Sequence, residues 1–105
     1  AVLYRYTIMS YGIAVKNKDG LDLGNSNAPH LGGGQNWFIV DDEPVIVFGD
    51  EVTPHAPPFI PHIAPVMNVE GSSWMTIDGI KVIREGHKGN CMHVSTGRDW
   101  FLIAD

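Results

Sequence analysis

The chain alternates short apolar runs with clusters of turn-forming residues. "WFIV" (37–40) is followed by "DDEP" and then "VIVF" (45–48). "WMTI" (74–77) is followed by "DGI" and then "KVIR" (81–84). Runs this short, rich in β-branched and aromatic residues and bounded by Asp, Gly and Pro, predict strands joined as hairpins. Asp78-Gly79 is a strong two-residue hairpin signal. Pro44 has no N–H to give to a ladder, so it belongs at a turn or strand edge. Upstream, "YRYTI" and "GIAVKNKDGLDL" predict a further strand pair turning at Asp19-Gly20. No stretch keeps a 3.6-residue apolar period with caps, so helices are not expected. The expected class is all-β.

The hairpins repeat. "GQNWFIV" starts at Gly34, "GSSWMTI" at Gly71 and "GRDWFLI" at Gly97. The first two copies continue in register without a gap: Asp41 lies over Asp78, Val45 over Val82, Ile46 over Ile83 and Gly49 over Gly86. The third copy stops at Asp105, before its second half. Three copies of Gly-x-x-Trp, two of them extended, point to a repeat architecture. The equivalent tryptophans Trp37, Trp74 and Trp100 are expected to be repeated core residues. The acidic turn Asp41-Asp42-Glu43 reads as a solvated hairpin tip.

Length and charge narrow the function. At 105 residues the chain is expected to be a single domain, 1–105. Residues 1–23 would form an N-terminal strand pair whose role the pattern leaves open, and 24–105 the repeat region. The net charge is −5 with no Lys/Arg cluster, so no nucleic-acid footprint is expected. No apolar run is long enough for a transmembrane helix. The leading "AVLYRYTIM" is short and carries Arg5, so it does not read as a secretory signal; Met9 is a candidate native start. No Gly-x-Ser-x-Gly, P-loop or HExxH is present. A thiol nucleophile at Cys91 with His93 or His87 has no oxyanion scaffold to support it, and no enzyme activity is expected.

The loops between the hairpins carry the chemistry. All five histidines and the only cysteine fall in "GNSNAPHLGGG" (24–34), "GDEVTPHAPPFIPHIAPVMNVEG" (49–71) and "GHKGNCMHVSTG" (86–97). If the hairpins pack around an axis, these loops gather at one end. His30, His55, His62, Cys91 and His93 would then converge. Imidazole and thiolate suit zinc in a tetrahedral site, which crosslinks segments too short to bury much apolar surface. Solvated loop histidines and a small buried cysteine are the plain alternative.

The sequence resembles the PAAR-repeat proteins, over roughly residues 24–105. "DDEPVIVFGDEVTPH" (41–55) keeps Pro44, Gly49, Asp50, Thr53 and His55 of the family pattern. "DGIKVIREGHKGNC" (78–91) keeps Gly79, Arg84, Gly86 and Cys91, and "EGSSW" (70–74) keeps its Gly-Ser. The Pro-Ala-Ala-Arg core itself reads Pro-Val-Ile-Val and Lys-Val-Ile-Arg, and His87 stands where the first unit has Asp50. A divergent, phage-tail-like member fits best. The resemblance implies a small cone-shaped pseudo-three-fold repeat of hairpins with a metal site near the apex. It implies a structural protein that caps and sharpens the trimeric β-helical, membrane-piercing spike of a contractile injection machine, a phage tail or type VI secretion system. One tip chain per trimer is expected, located at the virion tail tip or the secretion spike tip after assembly in the cytoplasm. The host membrane would be met only transiently, and effector cargo is a further candidate partner. The implied metal is zinc, with iron as the alternative. The implied ligands are three histidines and one cysteine, which carry over to His30, His55, His62 and Cys91; His93 is the rival and His87 the weakest candidate. A small metal-dependent hydrolase using the same cluster, with water as the fourth ligand, is the alternative reading.

Overall fold

The computed structural model describes residues 10–57, 60, 62 and 66–105. The predicted strand "YRYTI" lies outside the described residues. Among those residues the fold is all-β, with no helix and several small antiparallel sheets. In chain order the strands are β1 (Ser10–Gly12), β2 (Gly20–Asp22), β3 (Asn27–Gly32), β4 (Ile39–Val40) and β5 (Glu43–Pro44). They continue with β6 (Glu51–Val52), β7 (Thr76–Ile77), β8 (Ile80–Lys81) and β9 (Leu102–Ala104).

The two hairpins read from the sequence are present. β4 pairs β5 across Asp41-Asp42, and β7 pairs β8 across Asp78-Gly79. All four turn residues have positive φ, the backbone twist that two-residue hairpins require. The third hairpin is made from both ends of the chain. β9 pairs β1, with Leu102 opposite Gly12, as Ile39 stands opposite Pro44. The N-terminal segment therefore supplies the second half that the third Gly-x-x-Trp copy lacks in sequence. β2 begins after a turn that includes Asn17, at φ 64°, and pairs β3, which also pairs β6.

The segments that follow the hairpins close a ring of backbone hydrogen bonds. The Ala14 amide donates to Ile83 O (3.0 Å), Ile83 to Ile46 O (2.9 Å) and Ile46 to Ala14 O (2.9 Å). A second ring runs parallel: Lys16 to Pro44 O, Phe48 to Lys81 O and Glu85 to Gly12 O. Short strands with few ladder partners thus satisfy their amides by pairing around a closed circuit, which leaves no inner edge. Ala14, Ile46 and Ile83 pack against one another, fully buried. A larger apolar cluster joins Ile13, Val15, Val45, Val47 and Val82 to Val40, Ile77 and Ile103 of the hairpins. Alternation is why these two sets separate: neighbours in a strand face opposite sides.

The repeated glycines sit where strands approach too closely for a side chain. A Cβ on Gly34 would lie 2.4 Å from Val47 Cγ2, and one on Gly97 would lie 2.1 Å from Gly12 O. The tryptophans correct the expectation of a core role. Trp37, Trp74 and Trp100 are 62%, 60% and 59% exposed. Their Nε1–H groups reach across to neighbouring hairpins. Trp37 donates to Asp78 (2.9 Å), Trp100 to Asp41 (2.9 Å) and Trp74 to the Ala104 carbonyl. The hairpin-tip aspartates Asp41 and Asp78 are therefore acceptors that latch one hairpin to another. The core positions are taken instead by the next residue of each repeat, since Phe38, Met75 and Phe101 pack on the buried cluster.

Candidate metal centre

The turn after each inner strand is fastened by one side chain. The Asp19 carboxylate accepts from the Val15 amide, the Asp50 carboxylate from Val47, and His87 Nδ1 from Arg84. His87 thus does the work of the aspartate it replaces, accepting from the same backbone position. Burial, with the nearby Arg84 charge, holds His87 below its ordinary pKa, which keeps that nitrogen an acceptor.

Each of these turns is then bracketed by another residue. The amides of His30, Asn68 and Ser95 donate to the carbonyls of Asp19, Asp50 and His87, at 2.9, 3.0 and 2.8 Å. Their own carbonyls accept from Asn17, Gly49 and Gly86. The three side chains meet inside the protein. His30 Nε2 lies 2.8 Å from Ser95 Oγ, and His30 Nδ1 lies 3.3 Å from Asn68 Nδ2. Ser95 Oγ donates to Thr96 O and Asn68 Nδ2 also donates to Asp50 O. Because Asn68 offers a donor, Nδ1 of His30 is the acceptor and Nε2 carries the proton. Burial lowers the His30 pKa from 6.5 to about 4, against an opposing pull from Asp19. His30 is a neutral, fully engaged member of a buried polar triad.

The structure therefore does not bring His30 to the other implied ligands, and it lies in strand β3 rather than in a loop. It brings together His55, His62, Cys91 and His93, whose ligand atoms all lie within 4.8 Å of one another. His93, the rival, stands in the group; His87 does not. The cause is the shared backbone role of His30, Asn68 and Ser95, which fixes the His30 ring in the interior.

Two local devices aim the four side chains. The first is the turn Gly89–Met92. The Met92 amide donates to Gly89 O (3.0 Å), and Gly89 donates to His93 O (2.9 Å). Met92 has φ 77°, which swings the chain so that Cys91 and His93 converge instead of diverging. The second is the loop from His55 to His62, closed by the His55 amide on His62 O at 2.8 Å. His55 Nδ1 lies 3.1 Å from the Thr53 carbonyl, so it carries the proton and turns Nε2 toward the cluster as a lone pair. Thr53 is itself tied to Pro29 O by its amide and its hydroxyl. Cys91 is buried among Leu21, Ala28, Val52 and Val66, which anchors one side of the group in apolar packing.

The spacings fit a metal. Tetrahedral zinc with N at about 2.0–2.1 Å and S at about 2.3 Å requires N···N near ~3.4 Å and N···S near ~3.6 Å. His55 Nε2 and His93 Nδ1 are 3.3 Å apart, and Cys91 Sγ lies 3.4 Å from the first and 3.6 Å from the second. The His62 ring stands edge-on to His55 at 5.3 Å and to His93 at 5.6 Å between centroids. Burial and then the two neighbouring imidazoles lower the His93 pKa, so the ring is readily available as a neutral ligand. Three imidazoles and a thiol at these separations can bind a metal ion.

The sequence placed His55, His62 and Cys91 among the candidates and named His93. The His93 signal was the Cys-x-His spacing, which is silent about geometry until Met92 takes a left-handed conformation. The partners of His30, Asn68 and Ser95, carry no such signal in the sequence, because an amide and a hydroxyl in a loop give no sign of a shared buried role. Neither the models of known protein families nor the curated proteins give a match to this chain.

Proposed function

We propose that this chain is a structural metal-binding tip protein of the PAAR-repeat type, which caps the trimeric β-helical spike of a contractile injection machine. In this reading three hairpins form a pseudo-three-fold, cone-shaped unit. The observation that carries it is the closed ring of hydrogen bonds among Ala14, Ile46 and Ile83, with its second tier at Lys16, Phe48 and Glu85. One chain whose three segments are joined cyclically offers a three-fold partner three equivalent surfaces.

The hairpins supply the base. Trp37 and Ile39, and Trp100 and Leu102, are alternate residues with exposed apolar side chains; Trp74 with Thr76 completes the set. Short strand edges beside them would pair with the blunt end of the β-helix. In this reading the opposite end is the metal centre, where four protein ligands would clasp the 49–71 and 86–97 loops together. A set of four protein donors favours a structural ion over a hydrolytic one, which keeps a position open for water. Zinc suits the three imidazoles and one thiolate, and iron is the alternative.

Elemental analysis of the purified chain, combined with a pull-down on trimeric β-helix fragments, tests the reading. One ion per chain and one chain per trimer are expected. A metal-free chain with an unaltered melting curve in chelator, or a loaded chain that ignores every β-helix fragment, would refute it.

A further inference from the structure

We infer that the cleft between the glycine loop at Gly33 and the ring of Trp37 binds a saccharide. The cleft holds about 420 Å³, within the ~300–1,000 Å³ range of small-molecule sites. Lys16, Gly33, Asn36, Trp37 and Asp78 are among the residues that line it. None of the lining residues belongs to the metal group, so binding here does not require the ion.

Comparison of the repeats marks this cleft as an addition to the fold. Three residues separate His30 from Gly34, two separate Asn68 from Gly71 and one separates Ser95 from Gly97. His30, Asn68 and Ser95 hold the same backbone role, so the other repeats make the same connection with less chain. The extra length appears as a register shift between His30 and Gly32, followed by Gly33 at φ 117°. A Cβ on Gly33 would meet nothing within 4 Å, so no packing demands the excursion. Bulges of this kind are over-represented beside functional sites.

The clefts beside Phe48 and Glu85, the ring equivalents of Lys16, are taken up by the protein's own contacts. Beside Phe48, Arg84 pairs with Asp105 and the Glu70 carboxylate accepts from the Lys88 amide. Beside Glu85, Ser95 meets His30 and the Thr96 hydroxyl donates to Asp19. Beside Lys16 the polar groups are left open. Among the described residues, the Lys16 ammonium, the Asn36 side chain and the amides of Gly33, Gln35 and Asn36 make no hydrogen bond.

These donors stand beside an acceptor, the Asp78 carboxylate. A phosphate would face that carboxylate, and a cation would face Lys16. Sugar hydroxyls both donate and accept, so one ring can satisfy both kinds of group. Trp37 completes the match. Its ring is 62% exposed yet held in place, by its bond to Asp78 and by stacking on Phe38 at 5.8 Å between centroids. A fixed aromatic face next to polar groups receives the C–H face of a sugar at little entropic cost. Trp37 also borders the proposed base, so the free chain is the form to test.

The test is amide NMR of the isotope-labelled full chain. The probes are the methyl glycosides of glucose, galactose, mannose, N-acetylglucosamine and N-acetylgalactosamine, with inorganic phosphate as the anion arm. At least one glycoside should give saturable shifts at the Gly33, Gln35 and Asn36 amides and at Trp37 Nε1–H. Trp74 and Trp100, equally exposed but outside this cleft, should stay still. Lys16→Met keeps the apolar stem and removes only an unpaired ammonium; it should weaken binding about tenfold, the loss of one hydrogen bond to a charged group. Trp37→Ala should abolish saturation, and amide signals outside the cleft report whether each variant is folded. No saturable shift with any glycoside, equal shifts at all three tryptophans, a response to phosphate alone, or wild-type affinity in both variants would each overturn the assignment.

Discussion

Exchanging His93 and His30, one at a time, separates the geometric ligand set from the one implied by resemblance. A structural zinc site of this kind contributes about 10–16 kcal/mol of apparent binding free energy, so one ligand of four accounts for about 3–4 kcal/mol. His93→Ala should therefore weaken metal binding by about 10²–10³-fold. His30→Leu should leave metal affinity near wild type. Its cost falls on the buried triad, where Ser95 Oγ and Asn68 Nδ2 lose the ring between them. Each keeps one other bond, to Thr96 O and Asp50 O, so the combined loss should be about 2 kcal/mol, near the low end for buried groups. Thermal melts with and without chelator, alongside a metal competition titration, distinguish the two. The His93→Ala and wild-type curves should coincide in chelator, whereas His30→Leu should be shifted in both conditions. Loss of the ion from His30→Leu, or wild-type affinity in His93→Ala, would refute the assignment.

Acid should destabilise the protein through His30. Its folded pKa of about 4 lies below the ordinary 6.5, so the unfolded chain binds the extra proton first. The stabilisation is complete above about pH 6.5 and is lost as pH falls toward 4, by roughly 3 kcal/mol in all. Urea titrations across that window in chelator check this, and a slope that does not flatten in His30→Leu would count against it. Ile83→Ala removes most of one side of the fully buried Ala14–Ile46–Ile83 contact and should cost about 2–5 kcal/mol in a denaturant titration; a loss under about 1 kcal/mol would show that this contact is not a closely packed centre. Trp100→Phe deletes the exposed bond to Asp41 and trims a mostly exposed ring, and should lower stability by about 1 kcal/mol or less. Its larger effect should appear as weaker capture on β-helix fragments, and unchanged capture would remove Trp100 from the proposed base.

Local sequence code was sufficient for the hairpins. Asp41-Asp42 and Asp78-Gly79 specify their turns through backbone preferences that act over a few residues, and the apolar runs on either side fix strand length. The same locality made the donor inventory visible: the segments between the Gly-x-x-Trp hairpins hold every histidine and the cysteine. Alternation alone could not decide which face of a repeat is core, and the tryptophans showed it. Their size suggested burial, yet each Nε1–H finds its acceptor on another hairpin, which leaves the ring outside.

Three matters were decided only when distant segments met. The third hairpin joins Ser10–Gly12 to Leu102–Ala104, a pairing with nothing local to announce it. His30 became a core residue because its backbone shares a role with Asn68 and Ser95, which fixes its ring between theirs. His93 became part of the metal group because one left-handed residue, Met92, turns Cys91 and His93 toward the same point. Turn and strand preferences are short-range energies written in neighbouring residues. Which imidazole faces an ion depends on long-range closure of the chain, and no neighbouring residue encodes that.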